Sequence, residues 1–416
     1  MRTTALATAL LLALIAGVPA AFGQWGGSAL SPPVITAQER ATEVAAKEAR
    51  VQAFLREQRL EAVFLAQYRN YSWVTGGSED TIVMAAESGP VTLVLTRDGS
   101  KYALCANDEE ARNRDEELAG LGYEMISWEW FHNFDATSPQ EEFARSKGWE
   151  PAEIGSDMPV AWATDVAKQF APLRFALTEP EMKKYRWLGR ECTEACTETC
   201  REIRPGMTEK QIQRVIADKL MARGITPTVL LIAVDGRLFQ HRHAIATDRK
   251  LEKYAQVNIC ARKWGLVIAV TRYVHFGPIP AELGHRLRAC ARVTGAFLSA
   301  LKPGVTAGEV FQAGIEMYAR TGFPDEWRQH HQGGATGYAE REWVTFPGDP
   351  TPIVGDQAFA FNPTIMGAKV EDTVILHADG TLENVTQTLD WPNIPIALTG
   401  PAAGQTYYAP SILVRH

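Results

Sequence analysis

Residues 257–273 run "VNICARKWGLVIAVTRY". They read as two strands back to back, Val257–Trp264 and Leu266–Tyr273, turning at Gly265. The first carries Asn258 and Cys260, and the second is almost wholly apolar as far as Thr271 and Arg272. The hairpin looks built to carry acids and carries none.

Around it lie 416 residues, more than one core usually supports, so two domains are expected. Hydrophobic content of 46% and charge of 22% are ordinary for a globular chain. A net charge of −7 argues against nucleic acid or an anionic membrane as the main partner, because both require a basic face. At the N-terminus, Arg2 precedes the apolar run Ala5–Val18, and Ala21-Phe22-Gly23 offers small residues for cleavage. Residues 1–23 therefore read as a secretory signal peptide, too short to span a bilayer. The mature protein, from about Gln24, is expected to be exported, either periplasmic or secreted, with no membrane span left after signal removal. Cys192, Cys196 and Cys200 recur every four residues along one helix face, a spacing poor for disulfides and suited to packing.

Residues 24–35 read as a Gly/Pro/Ser-rich leader and 36–176 as a small α/β domain. Thr36 and Glu39 make a capping box ahead of a helix through about Arg59. "EAVFLAQ", "YSWVTG", "TIVMAA" and "VTLVLT" read as strands, with helical stretches around 107–120 and 163–170. A second domain, 177–416, opens with the capping box of Thr178 and Glu181. Within it "RPGMTEKQI" (204–212) and "KPGVTAGEV" (302–310) repeat a Pro-Gly, a Thr cap and a Gln or Glu, and helices ending at Gly224 and Gly322 follow. Both the Thr pair and the Gly pair are 98 residues apart, which points to an internal duplication.

The segments "AVFLAQYRNYSWVTGG", "HAIATDRKLEK", "VTRY", "GGATG", "KVEDTVIL" and "DGTLENVT" resemble the family of creatinase, prolidase, aminopeptidase P and methionine aminopeptidase. The resemblance covers nearly the whole mature chain. It implies an α/β (α+β) protein with a creatinase-type N-terminal domain and a pita-bread C-terminal domain. It also implies a homodimer. Metallopeptidases of the family hold two metal ions with two Asp on the hairpin, one His and two Glu. Hard oxygen ligands with one imidazole suit a pair of divalent cations that activate water. On this chain the matching positions are Asn258, Ala269, Gly334, Asn362 and Glu371. Only Glu371 keeps a ligand, so the expectation is no metal and no cofactor. Creatinase shares the fold, works without metal and carries a His at the place of His243, six residues before Arg249. It also has a Glu at the place of Glu371, but its substrate-contacting Glu before the hairpin Arg is Thr271 here.

The candidate catalytic residues are accordingly His243 as proton shuttle, with Glu371 and His330 orienting substrate and water. Glu371, deprived of metal, is expected either protonated or paired with His243 or Arg272. Candidate substrate-binding residues are Arg272, Arg341, Asn258, Asn362 and His331. Arg341 could clamp a carboxylate, or could make a surface ion pair with Glu342. His330 and His331 are adjacent, so on a strand only one would reach the cleft, and His241 would share the face of His243. Tyr338, Trp264 and Trp343 are further candidates for the pocket wall. The function expected is metal-independent hydrolysis of a C–N bond in an amide, amidine or peptide-like small molecule. The alternatives are a non-catalytic binding protein and an Xaa-Pro peptidase using metal on unorthodox ligands such as His330 and His331.

Overall fold

The computed structural model describes residues 31–388 and 390–416. The expected signal peptide and most of the expected leader lie outside the described residues. Among the described residues no helix is long and apolar enough to cross a membrane.

Helix α1 (Ala37–Gln58) starts at the expected Thr36–Glu39 capping box and stops at Arg59, which takes a left-handed conformation. It is followed by β1 (Ala62–Gln67), α2 (Tyr68–Val74), β2 (Ser88–Thr96), β3 (Lys101–Ala106) and α3 (Asn107–Arg112). Then come β4 (Glu124–Trp128), α4 (Pro139–Ser146), β5 (Ile154–Ser156), β6 (Thr164–Asp165) and α5 (Ala167–Phe170). The six strands form one mixed sheet in the order β4-β3-β2-β1-β5-β6. Alternate residues of β1 serve its two faces: Val63 and Leu65 pack in the core that holds Val51 and Leu55 of α1, and Ala62 and Phe64 pack with Phe143 of α4.

Two strand expectations fail here. "YSWVTG" is mostly the helix α2, because Tyr71 and Trp73 are fully buried and fixed by long-range partners. The Tyr71 hydroxyl donates to Asn113 at 2.6 Å, and Trp73 meets Phe170 edge-on at 5.8 Å. Tertiary packing thus overrides the β-preference of aromatic residues. "TIVMAA" pairs with no strand among the described residues, and Ile82, Val83 and Met84 are exposed.

The second half opens with α6 (Glu179–Glu202), capped by Thr178 and Glu181 as expected, and α7 (Glu209–Ala222). Cys192, Cys196 and Cys200 are free and fully buried on α6. Strands β7 (Thr226–Val234), β8 (Tyr254–Lys263) and β9 (Leu266–Phe276) follow, and then α8 (Ala281–Ala300) and α9 (Ala307–Arg320). The opening hairpin is therefore real and longer than expected. Its turn is the two-residue Trp264-Gly265, both at positive φ, which matches the right-handed twist of the flanking strands. A Cβ on Gly265 would lie 2.4 Å from that of Ser72, so only glycine fits.

The chain continues through β10 (Gly333–Thr336), β11 (Trp343–Val344), β12 (Gln357–Phe361), β13 (Thr364–Ile365), β14 (Ala368–Lys369), β15 (Val374–Leu376) and β16 (Leu382–Asn384). It ends with β17 (Asn393–Ala397), β18 (Thr406–Pro410) and β19 (Ile412–Arg415). Two sheets result, β19-β9-β8-β7 and β11-β10-β12-β15-β16. The first packs with α6 and α7, the second with α8 and α9. Between them Cys260, Val267, Ala269 and Ala360 form a small apolar cluster. The duplication read from the repeats is visible in α7 and α9. Each has 14 residues, a Thr cap with a capping box, and a bridge from the cap to a distant strand-like segment, Thr208 to Lys250 and Thr306 to Pro352.

A buried ion network ties the two halves. Lys47 of α1 sits 2.5 Å from Glu43 and 2.7 Å from Glu181 of α6. Tyr338 donates to Glu181 at 2.6 Å. Tyr338 is therefore fully buried in this network and is not a pocket wall.

Candidate functional site

The hairpin register sets Asn258 opposite Thr271 and Cys260 opposite Ala269. These four residues alternate with the outward-facing ones and share the inner face. Gly334 lies on β10, Asn362 directly after β12, and Lys369 and Glu371 on and after β14. Residues far apart in the chain thus converge at one place between the sheets.

At its centre is Glu371, 2% exposed. Asn258 Nδ2 and Thr271 Oγ1 each donate to its Oε2 at 2.7 Å, and Arg341 Nη2 reaches its Oε1 at 3.0 Å. Lys369 Nζ donates to Asn258 Oδ1 at 3.3 Å. Burial alone would raise the Glu371 pKa, but the Lys369 and Arg341 charges and these hydrogen bonds outweigh it and hold the carboxyl below its ordinary value. Burial pushes the Lys369 ammonium below the usual lysine range, opposed by Glu371.

This corrects the expected pairing. Glu371 is ionised, and its partner is Arg341 rather than His243 or Arg272. Arg272 is 1% exposed and spends its guanidinium on Asp372 at 3.0 Å, the Thr386 carbonyl at 2.7 Å and Thr388 Oγ1 at 3.0 Å. It braces strands and does not face a ligand. Nor does Arg341 pair with Glu342, which is claimed by the buried Arg174 at 2.5 Å. Asn362 is buried, and its Oδ1 has no hydrogen-bond partner; the same holds for Arg341 Nε. The sequence carries no signal for Lys369, which precedes "VEDTVIL" as one more strand-end charge with nothing local to mark its direction.

Next to this inner network stands a cluster of three histidines. His243 lies in the non-regular stretch after β7, so strand alternation does not apply and His241 is simply exposed. His330 and His331 precede β10. Contrary to the expectation that only one would reach the cleft, both do, because this segment is not a paired strand. His330 Nε2 is 2.9 Å from His243 Nε2, and the rings of His330 and His331 stack with centroids 4.4 Å apart. Burial, with the charge of Lys369, lowers His330 to about 2. Burial, with the charges of Arg341 and Lys369, lowers His331 to about 4. Burial and Lys369 also lower His243, against an opposing pull from Glu371. All three are therefore neutral imidazoles at neutral pH.

Trp264 occupies the hairpin turn beside Trp187, at 5.2 Å between ring centroids. Trp343 sits on β11 against Phe359 and closes the space over Gly334.

Residues 183–378 match the sequence profile of Metallopeptidase family M24. Residues 183–378 thus carry the domain of this family, and the mixed α/β fold, an N-terminal domain followed by a pita-bread C-terminal one, matches that of its solved neighbours. It is 27% identical over 229 residues to the probable dipeptidase PepE of Mycobacterium bovis and of Mycobacterium tuberculosis, covering 53% of this chain. The match spans 60% of the length of those curated relatives. Among solved structures it resembles dipeptidase PepE from Mycobacterium ulcerans, with a TM-score of 0.70 and 21% identity over 84% of this chain and 96% of that one. The prolidase from Pyrococcus horikoshii superposes with a TM-score of 0.69 and 17% identity, over 82% and 98%.

The family resemblance implies two cations at the inner site, and the residues present do not fit them. Ala269 and Gly334 carry no donor atom. A Cβ built on Gly334 would lie 2.2 Å from the Trp343 carbonyl oxygen, so no ligand side chain has room there. The remaining carboxylate already faces two fixed cations, Lys369 and Arg341, and can balance only one of them. Two further divalent charges would meet that positive field with no second carboxylate to balance them.

Proposed function

We propose that this protein is an exported hydrolase that cleaves a C–N bond in a short peptide or another small amide or amidine, without the two-metal centre of its family. The dipeptidase names of its relatives favour a short peptide as the substrate. The observation that carries the reading is the 2.9 Å contact between His243 Nε2 and His330 Nε2.

In this reading His330 Nδ1 donates to Thr364 Oγ1 across the weak 3.5 Å contact, which leaves its Nε2 as an acceptor. His243 then donates from Nε2 and keeps a free lone pair on Nδ1. That nitrogen removes a proton from the attacking water as its oxygen bonds to the substrate carbon. The imidazolium so formed is stabilised by His330 and by the Glu371 charge. It returns the proton to the leaving nitrogen as the C–N bond breaks. Arg341 and Asn362, each with an unpartnered polar atom, would position polar groups of the substrate.

The test is hydrolysis of Xaa-Pro and other dipeptides, amides and guanidino compounds by chelator-treated protein. Turnover that persists without metal and disappears in His243→Ala supports the proposal. Turnover that requires added metal overturns it. The complete bonding of Glu371 favours a second reading, a binding protein without catalysis. Ligands that raise the melting temperature with no turnover would establish that one. Export and a homodimer belong to the same proposal. Cleavage near Gln24 on secretion and the mass of the native particle in solution test them.

A further inference from the structure

His243, His330 and His331 come from two distant segments, yet each offers a ring nitrogen within 4.8 Å of those of the other two. We propose that these three imidazoles form a binding site for one divalent transition-metal ion, separate from the five positions of the inner network. The ion would stand where His243 and His330 now share a proton.

Two nitrogen ligands of a tetrahedral ion, each about 2.0–2.1 Å from it, lie about 3.3 Å apart. The 2.9 Å contact between His243 and His330 must therefore open by a few tenths of an ångström. The third nitrogen, up to 4.8 Å away, must move inward by about 1.5 Å to reach that spacing. Both movements fall on His243 and His331, whose side chains are exposed. His331 Nδ1 accepts from the Gly333 N–H at 3.3 Å, and binding through Nε2 would exchange the tautomer and give up only this long bond. Three protein ligands leave a fourth position open to water.

The surrounding charge determines which ion fits. Lys369, Arg341 and Arg242 place positive charge near the rings, and Glu371 opposes them. Arg242 is itself paired with Glu326 at 2.6 Å. Ions that rely on carboxylate ligands, Mg²⁺ and Ca²⁺, gain nothing here. Zn²⁺, Ni²⁺, Co²⁺ and Cu²⁺ draw their affinity from imidazole and can overcome the field. Where the hydrolase reading above also holds, the loaded ion takes the lone pairs that the proton relay needs, and the enzyme is inhibited. That consequence rests on the proposed function, whereas the site itself does not.

The experiment is equilibrium dialysis of untagged, chelator-stripped mature protein against Zn²⁺, without substrate, with bound metal counted by atomic emission. One equivalent is expected, with binding weakened at least about 10-fold in His331→Ala and in His330→Gln. Circular dichroism verifies that both variants are folded. In Co²⁺-loaded protein, visible d–d bands that vanish in His331→Ala would mark the imidazole ligands. Failure to bind an equivalent at 100 μM-scale Zn²⁺ (about that order), or undiminished binding by both folded variants, would overturn the proposal. Because no substrate is present, a failed hydrolase reading leaves this result intact, and the reverse is equally true.

Discussion

The inner network around Glu371 and the outer cluster of His243, His330 and His331 are neighbours that use their side chains in opposite ways. Inside, Glu371 is saturated by Asn258, Thr271 and Arg341, with Lys369 close behind. Outside, three histidines crowd together with few other partners, and two of them are exposed. The inner network has the character of a structural element. The outer cluster keeps lone pairs available, which is what chemistry or ligation needs. The reactive nitrogen atoms of this chain thus lie on the solvent side of the inner network.

The strongest way to break that contrast is Glu371→Gln. Removing one charge from the buried set leaves Lys369 and Arg341 unmatched, and urea unfolding should show a loss of about 3–5 kcal/mol. A loss below about 1 kcal/mol would mean that the inner network is not structural. Next is His243→Ala, expected to lower hydrolysis by about 10²–10⁴-fold with a stability change within about 0.5 kcal/mol. Equal damage to both would make the outer cluster structural too. Gly334→Ala should cost about 1–3 kcal/mol, because its Cβ would meet the Trp343 carbonyl oxygen at 2.2 Å. Full stability in that variant would show that β11 yields easily and that the ligand position could be refilled.

The smallest effect is the pH dependence of the metal-free protein. The folded His330 and His331 titrate near 2 and 4, below the ordinary histidine value, so below about pH 6.5 the unfolded chain binds more protons than the folded one. Their contribution is full above that pH and is lost as pH falls toward 4. Glu371 adds to the trend only at lower pH, since its depressed value preserves its contribution until the carboxyl protonates. Melting temperature measured from pH 7 to 4.5 should fall, and His331→Gln should flatten part of the decline. An unchanged slope in that variant would remove His331 from the explanation.

Much of the architecture was legible from short stretches, for local reasons. The capping boxes at Thr36, Thr178, Thr208 and Thr306 need only a residue three positions on, and all four form. The hairpin needs only its apolar runs and a turn at Gly265. The misreadings came where a partner lies far away in sequence. Tyr71 is held by Asn113, Arg272 by Asp372, and the helix at "YSWVTG" by a core that its own residues cannot specify.

What the sequence by itself determined is that Ala269 and Gly334 bring no side-chain donor to the space between the sheets. It also determined the duplication, since both copies carry the same cap and helix length. Only the tertiary structure decided which groups meet there. Arg341 and Lys369 converge on Glu371 and Asn258 from strands and loops up to 113 residues apart, and His330 meets His243 across 87 residues. Such encounters depend on sheet register and side-chain direction. The energy of a buried charge depends on every group around it, so neither can be read one segment at a time.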